Sequence, residues 1–266
     1  MTKFNDFNLT NWKELTDIET DSLWIINKRD NTNKHDGFYH GNFVPQIPRQ
    51  LIKRFTKQNE IVLDLFLGSG TTMFECETLK RSCIGVDINN EIISYVQSKI
   101  TNSYENSNFY ICLNKDSKDI NTYTTIKNIL YKNNKKNVQL IILHPPYFNI
   151  IHFTNNKNDL SNSNSIDNFL SQFDLIIKNA LNILETNRYL GIIIGDIYMN
   201  SEWIPLGFYC LQICINDKLK LKSIIVKNME GNRAKTNQEA LWRYRALSSD
   251  YYIFKHEYIL LFKKVV

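Results

Sequence analysis

The chain has 266 residues, 43% of them hydrophobic, and a formal net charge of +5. That length suits one large α/β domain with a sizeable core, and the small basic excess admits a polyanionic partner without requiring one. Its five cysteines, Cys76, Cys83, Cys112, Cys210 and Cys214, form no C-x-x-C pair, which argues against a disulfide framework and a zinc site, so no metal is expected. No apolar run approaches the ~20 residues of a membrane span and the first residues carry no apolar signal core, so a cytoplasmic protein away from the membrane is expected.

Residues 1–36 are polar and rich in asparagine, with Trp12 and the cluster Leu23, Trp24, Ile25 and Ile26 as anchors. They are expected to form an N-terminal arm, leaving 37–266 as a single domain. An amphipathic stretch at 49–56 predicts a helix, and the apolar run from Ile61 to Phe66 predicts a strand that enters the turn Gly68-Ser69-Gly70-Thr71-Thr72. Helix is expected again over 71–79, strand over 83–87 and helix over 90–100, which is the β-α-β-α alternation of a parallel sheet. Strands follow at 109–113 and 138–143, then a helix at 165–184, a strand at 190–194, a helix at 205–215 and strands at 219–227 and 256–262. Seven strands result. The polar stretch 155–164 and the charged, aromatic stretch 228–250 are expected to be surface loop insertions.

The glycine turn between an apolar strand and a helix lets backbone approach a ligand closely. Asp87 ends the next apolar strand, where a carboxylate can accept hydrogen bonds from both hydroxyls of a ribose. A P-loop would carry lysine after the turn, but here Thr71 and Thr72 follow Gly70, which excludes a triphosphate cradle. The strand at 138–143 runs into His144-Pro145-Pro146-Tyr147, and the two prolines fix an extended turn at its carboxyl end. In open α/β sheets both turns would open onto the same crevice.

The run Leu63-Asp64-Leu65-Phe66-Leu67-Gly68-Ser69-Gly70-Thr71-Thr72 resembles the cofactor motif of the amino-methylating DNA methyltransferases, with Leu65 in place of the usual proline. The upstream run from His40 to Pro48 is similar to the family segment that folds over the methionine end of S-adenosylmethionine, and the likeness reaches about residue 263. The resemblance implies a Rossmann-like class I methyltransferase fold, a mostly parallel seven-stranded sheet with an antiparallel strand at the C-terminal end. It implies S-adenosylmethionine as cofactor, held by His40, Asn42, Phe43 and Pro45, by Asp64, Phe66, Gly68, Ser69, Gly70, Thr71 and Thr72, by Asp87 at the ribose and by Asp116 near the adenine. His144, Pro145, Pro146 and Tyr147 would form the catalytic turn.

The residue types suit methylation of an exocyclic amine, whose lone pair must be aimed at the methyl group by hydrogen-bond acceptors while an aromatic ring stacks on the flipped base. The family places Asp, Asn or Ser where this chain has His144. Only a neutral imidazole offers an acceptor nitrogen, so activity is expected to fall as pH drops through the imidazole pKa, roughly 6.5 for an unperturbed ring. With little sequence between the cofactor and catalytic segments, DNA contact is assigned to 228–250, where Arg233, Lys235, Arg243 and Arg245 interleave with Trp242 and Tyr244. The run from His256 to Lys264 resembles the cytosine-N4 branch more than the adenine-N6 branch. The implied activity is site-specific DNA methylation of the restriction-modification kind, with a partner subunit or a homodimer adding recognition. The competing readings are an RNA or protein-glutamine methyltransferase, against which the segment 40–48 speaks, and a methyltransferase-like DNA-binding subunit silenced by His144.

Overall fold

The computed structural model describes residues 4–37, 39, 41–100, 108–229 and 239–266. Four parallel strands build one half of the sheet: β2 (Ile61–Asp64), β3 (Ser82–Asp87), β4 (Tyr110–Asn114) and β5 (Val138–Leu143). β6 (Leu184–Ile194) continues them in parallel, and β9 (Leu219–Asn228) and β10 (His256–Lys264) close the other side, with β10 antiparallel to both β6 and β9. A two-residue strand, β1 (Leu23–Trp24), adds to β9, so the order is β1-β9-β10-β6-β5-β2-β3-β4 and the sheet has eight strands where seven were expected.

The central strands β2, β3 and β5 are buried on both faces, and their side chains alternate between two helical layers. Leu140 and Ile142 of β5 join the core under α1 (Gln46–Phe55), α2 (Thr71–Thr78) and α3 (Asn90–Lys99). Ile141 and Leu143 join the core under α4 (Ile120–Lys132), α5 (Ile166–Leu181) and α6 (Leu206–Cys214). The caps fit the sequence: Asn89, Asp119 and Ser165 each accept a backbone N–H of the helix they precede. All five cysteines are buried and unbridged. Among the described residues no helix is long and apolar enough to cross a membrane.

Several elements depart from the sequence reading. α1 begins at Gln46 rather than 49, because Pro48 falls in the first turn, where its missing N–H has no intrahelical partner to lose. α4 was not foreseen, although Asp119 and the spacing of Tyr123, Ile126 and Leu130 mark it. A hairpin of β7 (Ile197–Met199) and β8 (Glu202–Ile204) turns at Asn200 and Ser201, whose φ values of 54° and 63° suit a type I′ turn. The stretch 228–250 contains a helix, α7 (Glu239–Leu247), in place of a loop. Within 155–164, Asp159, Leu160, Ser161 and Ser163 are buried, so only its first half is a surface loop.

The N-terminal segment is anchored differently from expectation. Trp24 is 1% exposed, but Trp12, Leu23 and Ile25 face solvent. Ion pairs do the rest: Asp30 with Arg49, Lys34 with Glu77, and Asp36 with Lys99. At the centre, the fully buried Glu75 of α2 accepts from Arg49 Nε at 2.9 Å and meets His35 Nε2 at 2.8 Å. Burial pushes the Glu75 carboxyl up, but the hydrogen bonds from His35 and Arg49 outweigh it and hold the group below its usual range.

Candidate active site

The carboxyl ends of β2, β3, β4 and β5 all open into one cavity of about 620 Å³, a size typical of small-molecule sites. On one side it is lined by the turn after β2 and by Asp87 and Asp116; on the other by His144 to Tyr147. The sheet topology produces this convergence, since parallel strands deliver every β-to-α turn to the same edge.

At the first turn Gly68 and Gly70 have φ values of 48° and 84°, a region that favours glycine. The tight turn lets Gly68 donate its N–H to Asp87 Oδ2 at 2.8 Å, while Asn89 N–H donates to Oδ1 at 2.9 Å. Burial, the leading cause, and the nearby Asp159 push the Asp87 carboxyl up, against the pull of these N–H groups. Asp64 lies beneath the turn, fully buried; its Oδ1 accepts from Phe66 N–H at 2.9 Å and burial pushes its pKa up to about 6. Asp116 turns its carboxylate back on Lys118 N–H at 2.8 Å and faces the cavity at the end of β4.

The segment 41–44 closes over this side. Arg29 donates to Asn42 Oδ1 at 3.1 Å and to the Phe43 carbonyl at 2.9 Å, and Asn42 Nδ2 donates to Ser69 Oγ at 3.0 Å. Tyr39, which the sequence did not single out, lies near Gly68 and stacks on Phe153 with ring centroids 5.8 Å apart. Of the residues expected at the cofactor, Asn42, Phe43, Phe66, Gly68, Ser69, Thr71, Asp87 and Asp116 line the cavity. Pro45, Asp64, Gly70 and Thr72 do not; they shape it from behind, as the N-cap of α1, the support of the turn, the N-cap of α2 and a fully buried residue of α2. His40 lies outside the described residues.

His144 is half-buried at the cavity wall, edge-on to Phe43 at 4.8 Å and to Tyr147 at 5.7 Å between centroids. Burial, aided by the charge of Lys227 and opposed by Glu257, depresses its pKa to about 4. The transition of an unperturbed ring near roughly 6.5 is thus moved down at this site, and the ring is neutral at physiological pH. The Tyr147 ring packs on Gly195, where a Cβ would come within 2.9 Å of Tyr147 Cε2. Its hydroxyl donates to Glu257 Oε2 at 2.9 Å and lies 3.4 Å from His144 Nε2. Glu257 Oε1 in turn accepts from Lys227 Nζ at 3.0 Å. The sequence reading missed Lys227 and Glu257, which border the apolar runs 224–226 and 258–262.

On the far wall, Trp242 of α7 reaches the cavity beneath Arg245, whose guanidinium lies 5.4 Å from the indole centroid. Arg243 and Arg245 are exposed, while Arg233 and Lys235 lie outside the described residues. Two further aromatic pairs flank this wall, Tyr198 with Tyr251 at 4.4 Å and Trp203 with Phe254 at 4.0 Å. Among the described residues, no group of His, Cys, Asp or Glu is placed to hold a metal.

A parallel sheet with an antiparallel C-terminal strand and a ligand cavity at its carboxyl edge defines a Rossmann-like methyltransferase fold. TrmN from Thermus thermophilus shares that fold with a TM-score of 0.53 at 14% identity, over 84% of this chain and 49% of that one. The chain belongs to the N6/N4 DNA methylase family, whose model matches residues 5–98 and 138–265. It is 34% identical over 88 residues to the Type II methyltransferase M.MjaI of Methanocaldococcus jannaschii, across 33% of this chain and 29% of the relative. It is 32% identical over 117 residues to the Type II methyltransferase M.HindIII of Haemophilus influenzae, across 43% of this chain and 35% of the relative. The chain thus aligns with about a third of the length of these relatives or less. S-adenosylmethionine is the cofactor of this family, and the site suits it: a strand-end carboxylate for a ribose, backbone brought close by glycine, and an apolar wall for an adenine.

Proposed function

We propose that this chain transfers a methyl group from S-adenosylmethionine to an exocyclic amine of a DNA base, with cytosine N4 favoured over adenine N6. One observation carries the reading: a single cavity joins the Gly68 and Asp87 side to the His144 and Tyr147 side. A cofactor and a flipped base would there lie next to each other. The cofactor, when bound, supplies an electrophilic methyl group on a sulfonium sulfur.

The residues then have distinct tasks. Asp87 accepts the ribose hydroxyls, and Phe66, Asn42 and Phe43 border the methionine end. The neutral His144 ring and the carbonyl of Pro145 accept the hydrogens of the target amine, which turns its lone pair toward the methyl group. An imidazole with a pKa of about 4 is a weak base, so it serves as a hydrogen-bond acceptor and the proton released on methylation passes on to solvent. Tyr147 and the aromatic far wall take up a base extruded from its stack, at a cost of a few kcal/mol. Arg243 and Arg245, exposed beside the cavity wall, are assigned to phosphates, together with Arg233 and Lys235. The likeness of β10 to the cytosine-N4 branch supports the choice of base.

Incubation with labelled S-adenosylmethionine and unmodified genomic DNA, followed by digestion and mass identification of the modified nucleoside, tests this. N4-methylcytosine is the expected product and N6-methyladenine would correct the base. Cofactor binding with no label in DNA would overturn the reading.

A further inference from the structure

Beside the catalytic turn, at the wall of the same cavity, lies a nearly buried ion pair with no part in the steps above. Lys227 and Glu257 face each other across β9 and β10, 6% and 5% exposed, in strands whose neighbouring core positions are apolar. A buried pair of this kind is commonly no more stabilising than apolar residues of the same size, so packing alone gives no reason for it. Its second carboxylate oxygen leads to the active site, through Tyr147 Oη at 2.9 Å and then His144 Nε2 at 3.4 Å.

We propose that Lys227 and Glu257 are positioning residues that fix the tautomer of His144, leaving its Nδ1 lone pair as the acceptor that meets the target amine. The hydrogen count along the chain supports this. An ammonium only donates and a carboxylate only accepts, so Glu257 receives one hydrogen bond from Lys227 and one from the phenol. Tyr147 has a single hydrogen, and the shorter, charge-assisted contact to Glu257 claims it over the longer one to His144. The phenol oxygen therefore turns lone pairs toward Nε2. A bare Nε2 would set lone pair against lone pair; a protonated Nε2 donates to that oxygen. With one proton on a neutral ring, Nδ1 is left bare, and no hydrogen bond to it is formed by the described residues. The edge-on contact with Phe43 holds the ring plane. The consequence for catalysis rests on the proposed amine methylation, but the tautomer itself does not.

The test is a long-range ¹H–¹⁵N correlation spectrum of the full chain labelled at its five histidines, with His144 assigned by the signals lost in His144→Gln. The Nε2–H form is expected in the wild type at neutral pH. In the double variant Lys227→Met with Glu257→Leu, which leaves no unpaired charge, Tyr147 loses its acceptor and turns its hydrogen to Nε2. The spectrum should then change to the Nδ1–H form, and kcat should fall about 100-fold with KM for DNA little changed. Tyr147→Phe, which keeps the ring, should give a mixture of both forms and serves if the double variant does not fold. A wild-type Nδ1–H form would overturn the proposal, as would an unchanged Nε2–H form in the folded double variant or in Tyr147→Phe. If the wild type methylates no DNA, the proposed function fails while the spectrum still decides the tautomer.

Discussion

Acid titration separates a half-buried, neutral His144 from an ordinary histidine. At a pKa of about 4, roughly 3% of the ring is protonated at pH 5.5, whereas at 6.5 roughly 90% would be. As far as His144 is concerned, methyl transfer at saturating DNA and cofactor should therefore stay level from about pH 8 to 5.5, where an unperturbed acceptor would lose about tenfold. Asp64, raised to about 6, titrates inside the same window, so the readout is the wild-type profile divided by that of His144→Asn. The same depression acts on stability. Between about 6.5 and 4 the unfolded chain takes up a proton at residue 144 that the folded chain refuses, so this contribution is greatest above 6.5 and declines as pH falls toward 4. Over that range it amounts to about 3 kcal/mol, and His144→Asn should lack the corresponding slope in denaturant unfolding. A tenfold loss centred near pH 6.5 that His144→Asn abolishes would refute the reasoning.

Four substitutions probe the surroundings of the cavity. Gly195→Ala would bring a Cβ within 2.9 Å of the Tyr147 ring; kcat should fall on the order of 10- to 100-fold while cofactor affinity measured by calorimetry stays within about twofold. Gly70→Ala, at φ 84° and with Val96 Cγ1 only 2.8 Å from the new Cβ, should cost about 1–3 kcal/mol and lower Tm on the order of 5 °C by calorimetric scan. Arg243→Ala and Arg245→Ala should each weaken DNA binding and reduce the slope of log affinity against log salt by about 1 in filter binding or anisotropy, and an unchanged slope would remove them from the phosphate contacts.

The sequence exposes the parts of this molecule whose local chemistry permits few alternatives. Apolar runs such as 61–64 and 138–143 can hardly be anything but buried strands, and the glycines at 68 and 70 and the prolines at 145 and 146 punctuate their ends. Both halves of the cavity were legible for that reason. What escaped depends on partners distant in the chain. β1 is two residues long and exists only through pairing with β9, some 200 residues later. The polar composition of 28–36 reads as a solvated arm, yet Asp30, Lys34 and Asp36 each meet an opposite charge on α1, α2 or α3, and His35 reaches the Glu75 carboxylate. Composition reports that a group is charged, not that its counter-charge waits on a helix.

The C-terminal hairpin is the sharpest instance. Read along β9 and β10, Lys227 and Glu257 look like surface positions, because isolated charges in strands usually mark the solvated face. The register between the strands places them opposite each other, nearly buried at the cavity wall beside Tyr147. That placement changes the meaning of the histidine at 144. Where the family carries a carboxylate, amide or hydroxyl at this position, the acceptor oxygen needs no choice of tautomer; an imidazole does, and half of its neutral states point a hydrogen at the substrate amine. In the proposed acceptor role, a histidine here is workable only if the ring is held neutral and its single proton is held on the far nitrogen. Burial meets the first condition. In the tautomer proposal the chain from Lys227 through Glu257 to Tyr147 meets the second, so residues 144, 227 and 257 form one unit, and replacing His144 by the family's usual residue should relieve the enzyme of its need for the buried pair.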